Sequence, residues 1–154
     1  MKQLASKLLS SVSLFIFAGQ LAGSDTIDFG EEVYPILKES CLRCHAAPYE
    51  DSRGRTKKPK GGLRLDTPHW IMEGYLNDED VLEPIVIPGD PDASELYTLT
   101  ILPEDHDDVM PTSGDLLSKE KSDTLKRWIK EGAKFGDFEA PKYVNPKSKE
   151  ASLD

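Results

Sequence analysis

The feature that most constrains this chain is Cys41-Leu42-Arg43-Cys44-His45, which holds its only two cysteines. Two thiols three positions apart, followed at once by an imidazole, form the attachment pattern of c-type haem, in which each thiol closes a thioether on one vinyl group. The spacing has a geometric reason. Positions i, i+3 and i+4 of a helical turn share a face, so Cys41 and Cys44 can grip a porphyrin edge while His45 presents a ring nitrogen to the iron. Other uses of the motif fit less well. A redox dithiol of the thioredoxin kind sits near a βαβ pattern, which the flanks lack. Structural zinc takes four ligands, and the other histidines, His69 and His106, are too far apart to pair.

The compartment agrees with haem attachment. Residues 1–23 read as a secretory leader: Lys2 and Lys7 open it, an apolar run from Leu8 to Ala18 follows, and small residues cluster at Ala22, Gly23 and Ser24. That run is short and serine-broken for a bilayer span of about 20 residues, so the reading is cleavage between Gln20 and Asp25 and export, to the periplasm. No second stretch could cross a membrane. The remainder divides into one domain over residues 24–138 and a polar, flexible tail over residues 139–154. The formal charge of −9 becomes −11 once Lys2 and Lys7 leave with the leader. Nucleic acid is therefore excluded as a partner class, and a redox partner with a basic docking surface is expected.

Along the chain, Phe29, Val33, Ile36 and Leu37 recur at helical spacing, with Glu31 and Glu32 in the first turn, and Pro35 marks a kink or a second start. An amphipathic helix thus delivers the cysteines at its C-terminal end. Residues 46–62 read as a loop, rich in Gly and Pro and carrying Arg53, Arg55, Lys57, Lys58 and Lys60. Leu63 and Leu65 alternate as a short extended segment against the haem edge, and Arg64 between them is the candidate for a haem propionate, because a guanidinium pairs bidentately with carboxylate. Thr67-Pro68 opens a short helix to about Tyr75 with Trp70, Ile71 and Met72 inward. Asp90-Pro91 opens another over residues 91–101, presenting Ala93, Leu96, Tyr97 and Ile101. After an acidic loop over residues 103–115, Ser118 caps a last helix over residues 119–131, with Leu125, Trp128 and Ile129 inward and Gly132 as its stop.

An electron-transfer haem has both axial positions filled by protein, and the second donor sets the potential. Met72, Met110, His69 and His106 are the candidates. Met110 is preferred: it lies in a loop, beside Pro111, between two helices that must flank the haem. Met72 reads as core filler, His106 as a solvated, acid-paired histidine, and His69 as surface. Bis-histidine ligation would need one of those two.

Several separated motifs then resemble the planctomycete-type cytochrome c domains. They are Glu32 to Leu37, the Cys41–His45 pattern, Lys60 to Asp66, Ile87-Pro88-Gly89-Asp90-Pro91, Ser94 to Tyr97, Met110-Pro111, and Trp128 to Ala133. Thr112 departs from the family, where a second proline often follows. The resemblance implies an all-α fold of the small class I-like cytochrome c type, short helices and long loops wrapped around one covalently bound haem c, with His45 proximal and Met110 distal. With the leader, a single attachment motif and no catalytic constellation, the chain reads as a monomeric, exported electron carrier rather than an enzyme. Two other readings stand beside it: a peroxidase-like enzyme or gas sensor with a labile distal ligand, and a module feeding electrons to one dedicated enzyme through the basic loop 53–60.

Overall fold

The computed structural model describes residues 26–152, so the leader expected over residues 1–23 lies outside the described residues. The chain enters its first helix at Asp28, whose Oδ1 accepts from Glu31 N at 2.9 Å while its own N–H donates to Glu32 Oε1 at 3.0 Å. This reciprocal cap satisfies two of the orphan donors of a helix start. Phe29–Val33 is wound as a π-turn, with Tyr34 N–H reaching back to Phe29 O, and α1 follows over Tyr34–Ser40. Pro35 sits in the first turn of α1, where its missing N–H costs nothing.

Phe29, Val33 and Leu37 lie on the buried side of this segment, as do Leu125, Trp128 and Ile129 on the last helix. That helix, labelled α4 below, runs Lys119–Lys130 and is capped by Ser118 Oγ accepting from Lys121 N. Phe29 packs at a tilt against Trp128 at 5.2 Å and edge-on against Phe135 at 4.6 Å between ring centroids. Aromatic packing of this kind contributes about 0.5–1.5 kcal/mol per pair beyond the area it buries. Trp128 Nε1 donates to Lys134 O at 2.7 Å, so the indole is buried without an orphaned donor.

The expectation of an all-α chain is corrected by two antiparallel hairpins, which make the fold mixed α and β. In the first, β1 (Tyr49–Glu50) pairs with β2 (Thr56–Lys57) inside the stretch read as loop. Its turn is stapled by Asp51, whose carboxylate accepts from Arg53 N, Arg55 N and the Arg55 guanidinium. In the second, β3 (Tyr75–Leu76) pairs with β4 (Leu82–Glu83). There Asn77 Oδ1 accepts from Glu79 N and Val81 N, an Asx turn that reverses the chain. Strands two residues long carry no alternating period, so side-chain turn chemistry is their only trace in sequence.

Between the hairpins α2 spans Pro68–Glu73, with Thr67 as N-cap. Ile71 is buried, but Met72 is 37% exposed, which corrects its reading as core filler. The helix is under two turns long and has room for one inward residue per turn. The helix expected over residues 91–101 is broken into a 3₁₀ turn at Pro91–Ala93, α3 at Glu95–Thr98 and a second turn at Leu99–Ile101. Buried Ser94 makes the break: its Oγ donates to Asp90 O at 2.7 Å and accepts from Ile87 N at 2.8 Å. Ile101 ends up 52% exposed.

Residues 139–152, expected to be a flexible tail, pack back on the body. Asn145 and Ser148 are buried, Asn145 Nδ2 donates to Arg43 O at 3.0 Å, and Lys149 N donates to Glu50 O at 2.8 Å.

Candidate functional site

The cysteine pattern follows α1 directly as a hydrogen-bonded helical turn, in which Cys44 N and His45 N both donate to Cys41 O at 3.0 Å. The chain then leaves and returns. Lys60 N donates to Cys44 O at 2.9 Å and Leu65 N to His45 O at 2.8 Å, which lays the Leu63–Leu65 segment beside the turn. Leu96 is fixed by its N–H on Ile85 O at 3.0 Å, and Met110 by its N–H on Leu99 O at 3.0 Å; the Met110–Pro111 peptide is cis.

These pieces enclose a cavity of about 350 Å³, within the size range of cofactor pockets. Cys41, Cys44, His45 and Met110 all line it, among the apolar side chains Leu63, Leu65, Ile85, Leu96, Leu99 and Leu117. Four residues singled out in the sequence are thus brought to one set of walls. Met72, His69 and His106 are elsewhere. His69 Nε2 pairs with Glu73 Oε2 at 2.9 Å on the exposed side of α2, and His106 Nδ1 accepts from Asp108 N at 3.1 Å in its own turn.

The two thiols are not bridged. Burial, reinforced by the neighbouring Cys44, pushes the Cys41 thiol up to about 12, the reverse of the depressed values that make a dithiol a redox catalyst or a ready zinc ligand. Among the described residues no group of three or more His, Cys, Asp and Glu is placed to hold a metal ion. Burial also lowers the His45 pKa, outweighing backbone groups of Leu63 and Lys60 that favour the charged ring, and the Lys60 charge lowers it further. The imidazole is therefore held neutral, with a lone pair to offer. Its Nδ1 is buried without a hydrogen-bond partner, a costly state that calls for an explanation at that position.

Arg64, expected at a propionate, is paired with a neighbouring carboxylate. Its Nε and Nη2 donate to Asp66 Oδ1 and Oδ2 at 2.9 and 2.8 Å, and its guanidinium stacks 4.6 Å over Trp70. Arg64 does not line the cavity. The reason is the period of extended chain: with Leu63 and Leu65 turned to the cavity, the residue between them faces the other way.

Sequence reasoning missed three contributors. Arg43 Nη2 donates to Ser113 Oγ at 3.1 Å and lies 3.4 Å from Ser113 O, tying the turn to the loop that carries Met110. Tyr75 and Glu95 also line the cavity, and the Glu95 charge, with burial, raises the tyrosine pKa. Only contact across long sequence separation could have revealed them.

A family model described as Planctomycete cytochrome C matches residues 41–114. The chain carries a planctomycete cytochrome c domain. The match begins at the first thiol and runs past Met110, so it covers most of the cavity wall described above. No curated protein and no solved structure matches the chain. A cytochrome c domain is a haem-binding electron-transfer unit, and the residues here suit that group: two unbridged thiols, a half-buried imidazole with an unsatisfied nitrogen, a thioether on the same cavity, and apolar walls. Among the described residues no helix is long and apolar enough to cross a membrane.

Proposed function

We propose that this cytochrome is an exported monohaem carrier of single electrons, with Cys41 and Cys44 holding one haem c covalently and His45 and Met110 as axial ligands. The observation that supports it is the meeting of both thiols, His45 and Met110 on one apolar cavity, although Met110 lies 65 positions beyond His45 in the chain. When bound, haem supplies a one-electron iron couple. The chain's own part is to hold and tune it. Cys41 and Cys44 fix the macrocycle's edge, and neutral His45 donates a lone pair without first losing a proton. Met110 offers a soft, uncharged donor that favours the reduced metal and so a higher potential than a second histidine would. The leucine walls exclude water and keep the local dielectric low. With His45 and Met110 both engaged, small molecules would be kept off the metal, and the domain would pass electrons without bond chemistry.

The test is spectroscopic. Mature protein made in a host with haem-attachment machinery should carry one covalent haem by mass. Its ferric form should show the near-infrared sulfur-to-iron charge-transfer band, and Met110→Ala should abolish that band and lower the potential. A band that survives the substitution would remove Met110 as ligand. Carbon monoxide uptake by the native ferrous protein would favour the peroxidase-like or gas-sensing reading instead.

A further inference from the structure

Residues 65–118 hold 14 of the 28 acidic residues and none of the 19 lysines and arginines. The formal charge of −9 therefore divides into −14 over that stretch and +5 over the remainder. An unusual apolar surface lies inside the same stretch. Among the described residues, four of the six exposed large hydrophobic side chains fall between Met72 and Leu82: Met72, then Leu76 at 60%, Val81 at 50% and Leu82 at 48% exposure. The turn of that hairpin carries Asp78, Glu79 and Asp80, all exposed and none in an ion pair among the described residues.

The strand register shows which way this patch points. Tyr75 and Leu76 are consecutive in β3, so they face opposite sides, and Tyr75 lines the cavity. Leu76 therefore points away from it, and Leu82, its direct partner on β4, shares its face. None of the four hydrophobics lines the cavity, so packing around a haem does not account for them. Single exposed leucines are ordinary. A cross-strand leucine pair beside a valine, held in register by the Asn77 turn and topped by three unanswered carboxylates, is a preformed surface of the kind that marks an interaction site.

We propose that the β3–β4 hairpin is a docking site for a basic protein face, one that presents an apolar spot to Leu76 and Leu82 and lysines or arginines to Asp78, Glu79 and Asp80. Charge decides among the occupants. A second copy meeting it patch to patch would set one acidic turn against another, and an anionic lipid surface would repel it. Three carboxylates on the turn oppose entry into a neutral bilayer. A basic partner gains twice, because opposite fields steer it from a distance and apolar contact then holds it. Since the leucine face is turned from the cavity, the site tethers the protein and is not where electrons cross. It goes beyond the carrier reading and does not depend on how the iron is ligated.

The probes are a short lysine-rich helical peptide with one leucine face and its leucine-to-glutamine counterpart, added to isotope-labelled, haem-loaded ferrous protein. The leucine-faced peptide should shift the amides of Met72 to Glu83 and leave those of Cys41 to His45 in place. It should bind about tenfold tighter than its counterpart, and Leu76→Ser/Leu82→Ser should remove that advantage. Asp78→Asn/Glu79→Gln/Asp80→Asn should weaken both peptides about tenfold at low salt and far less at high salt; asparagine suits the left-handed backbone of Asp80. Glu104→Gln/Asp105→Asn/Asp107→Asn removes the same charge from the acidic loop and should change little.

Equal weakening by the two triple variants, no preference for the leucine-faced peptide, or shifts centred on Cys41 to His45 overturns the proposal. So does self-association in the ultracentrifuge, or binding to phosphatidylcholine vesicles, that is lost in Leu76→Ser/Leu82→Ser, since either gives the patch another occupant. Should that double variant misfold, the paired triple variants decide alone. Met110→Ala protein should bind the peptides as its parent does, so a failure of the axial assignment and a failure of this site are read separately.

Discussion

Arg43 joins two pieces of the site that lie 70 positions apart in the chain, through its guanidinium on Ser113 Oγ. Each such bond at an exposed position is worth about 0.5–1.5 kcal/mol. Arg43→Ala should therefore leave the haem attached but make the charge-transfer band of the ferric protein fade at lower urea concentration than the Soret maximum does. Arg43→Lys should not restore it fully, because an ammonium lacks the fork. Asp51 offers a pH signature. Hydrogen bonds from Arg55 and Arg53 hold its carboxyl well below the usual carboxylate range. Its contribution is fully present above the unfolded value, about 3.9, and is lost as pH falls toward the depressed folded value. Asp51→Asn should lower the urea midpoint at neutral pH, and the gap between variant and parent should narrow as the solution is acidified below pH about 4.

At the level of elements, Gly74 is the position that permits the second hairpin. Its φ is +83°, and a Cβ there would stand 2.0 Å from Glu83 O. Gly74→Ala should cost about 1–3 kcal/mol or more, seen as a lower thermal midpoint, and should disturb Tyr75 in the cavity wall. The hairpins also mark where sequence reasoning stops. The last helix was legible because Leu125, Trp128 and Ile129 repeat at helical spacing between the Ser118 cap and Gly132. The site was legible in part, since the cysteine pattern fixes its own local geometry and a methionine next to proline in a loop stands out. The β1–β2 and β3–β4 pairs were not, because two residues make no period. The single 91–101 helix failed on Ser94, a residue whose hydroxyl competes for backbone partners. Arg64 lies off the cavity lining: its residue type was weighed, and the side its extended segment gives it was not.

For the whole molecule, the C-terminal segment closes over the part of the chain that bears the thiols. A chain ending at Phe138 should keep α1 and α4 and the aromatic cluster about Phe29. It would lose the Asn145 bond to Arg43 O, the bridge between Asp51 and Ser148, and the Lys149 bond to Glu50 O. Hydrogen exchange should then show faster amides over residues 49–57 and unchanged ones over residues 120–130; uniform acceleration would mean the segment supports the fold globally.

The bonds from Lys60 and Leu65 back to Cys44 and His45 have one more effect. They pin both ends of the excursion between them, which makes its length nearly a free variable. Doubling such a stretch costs about 0.6 kcal/mol in closure entropy. At the Gly54 tip an added Cβ meets nothing within 4 Å. Foreign sequence grafted there should leave the thiols and imidazole behind the pins undisturbed.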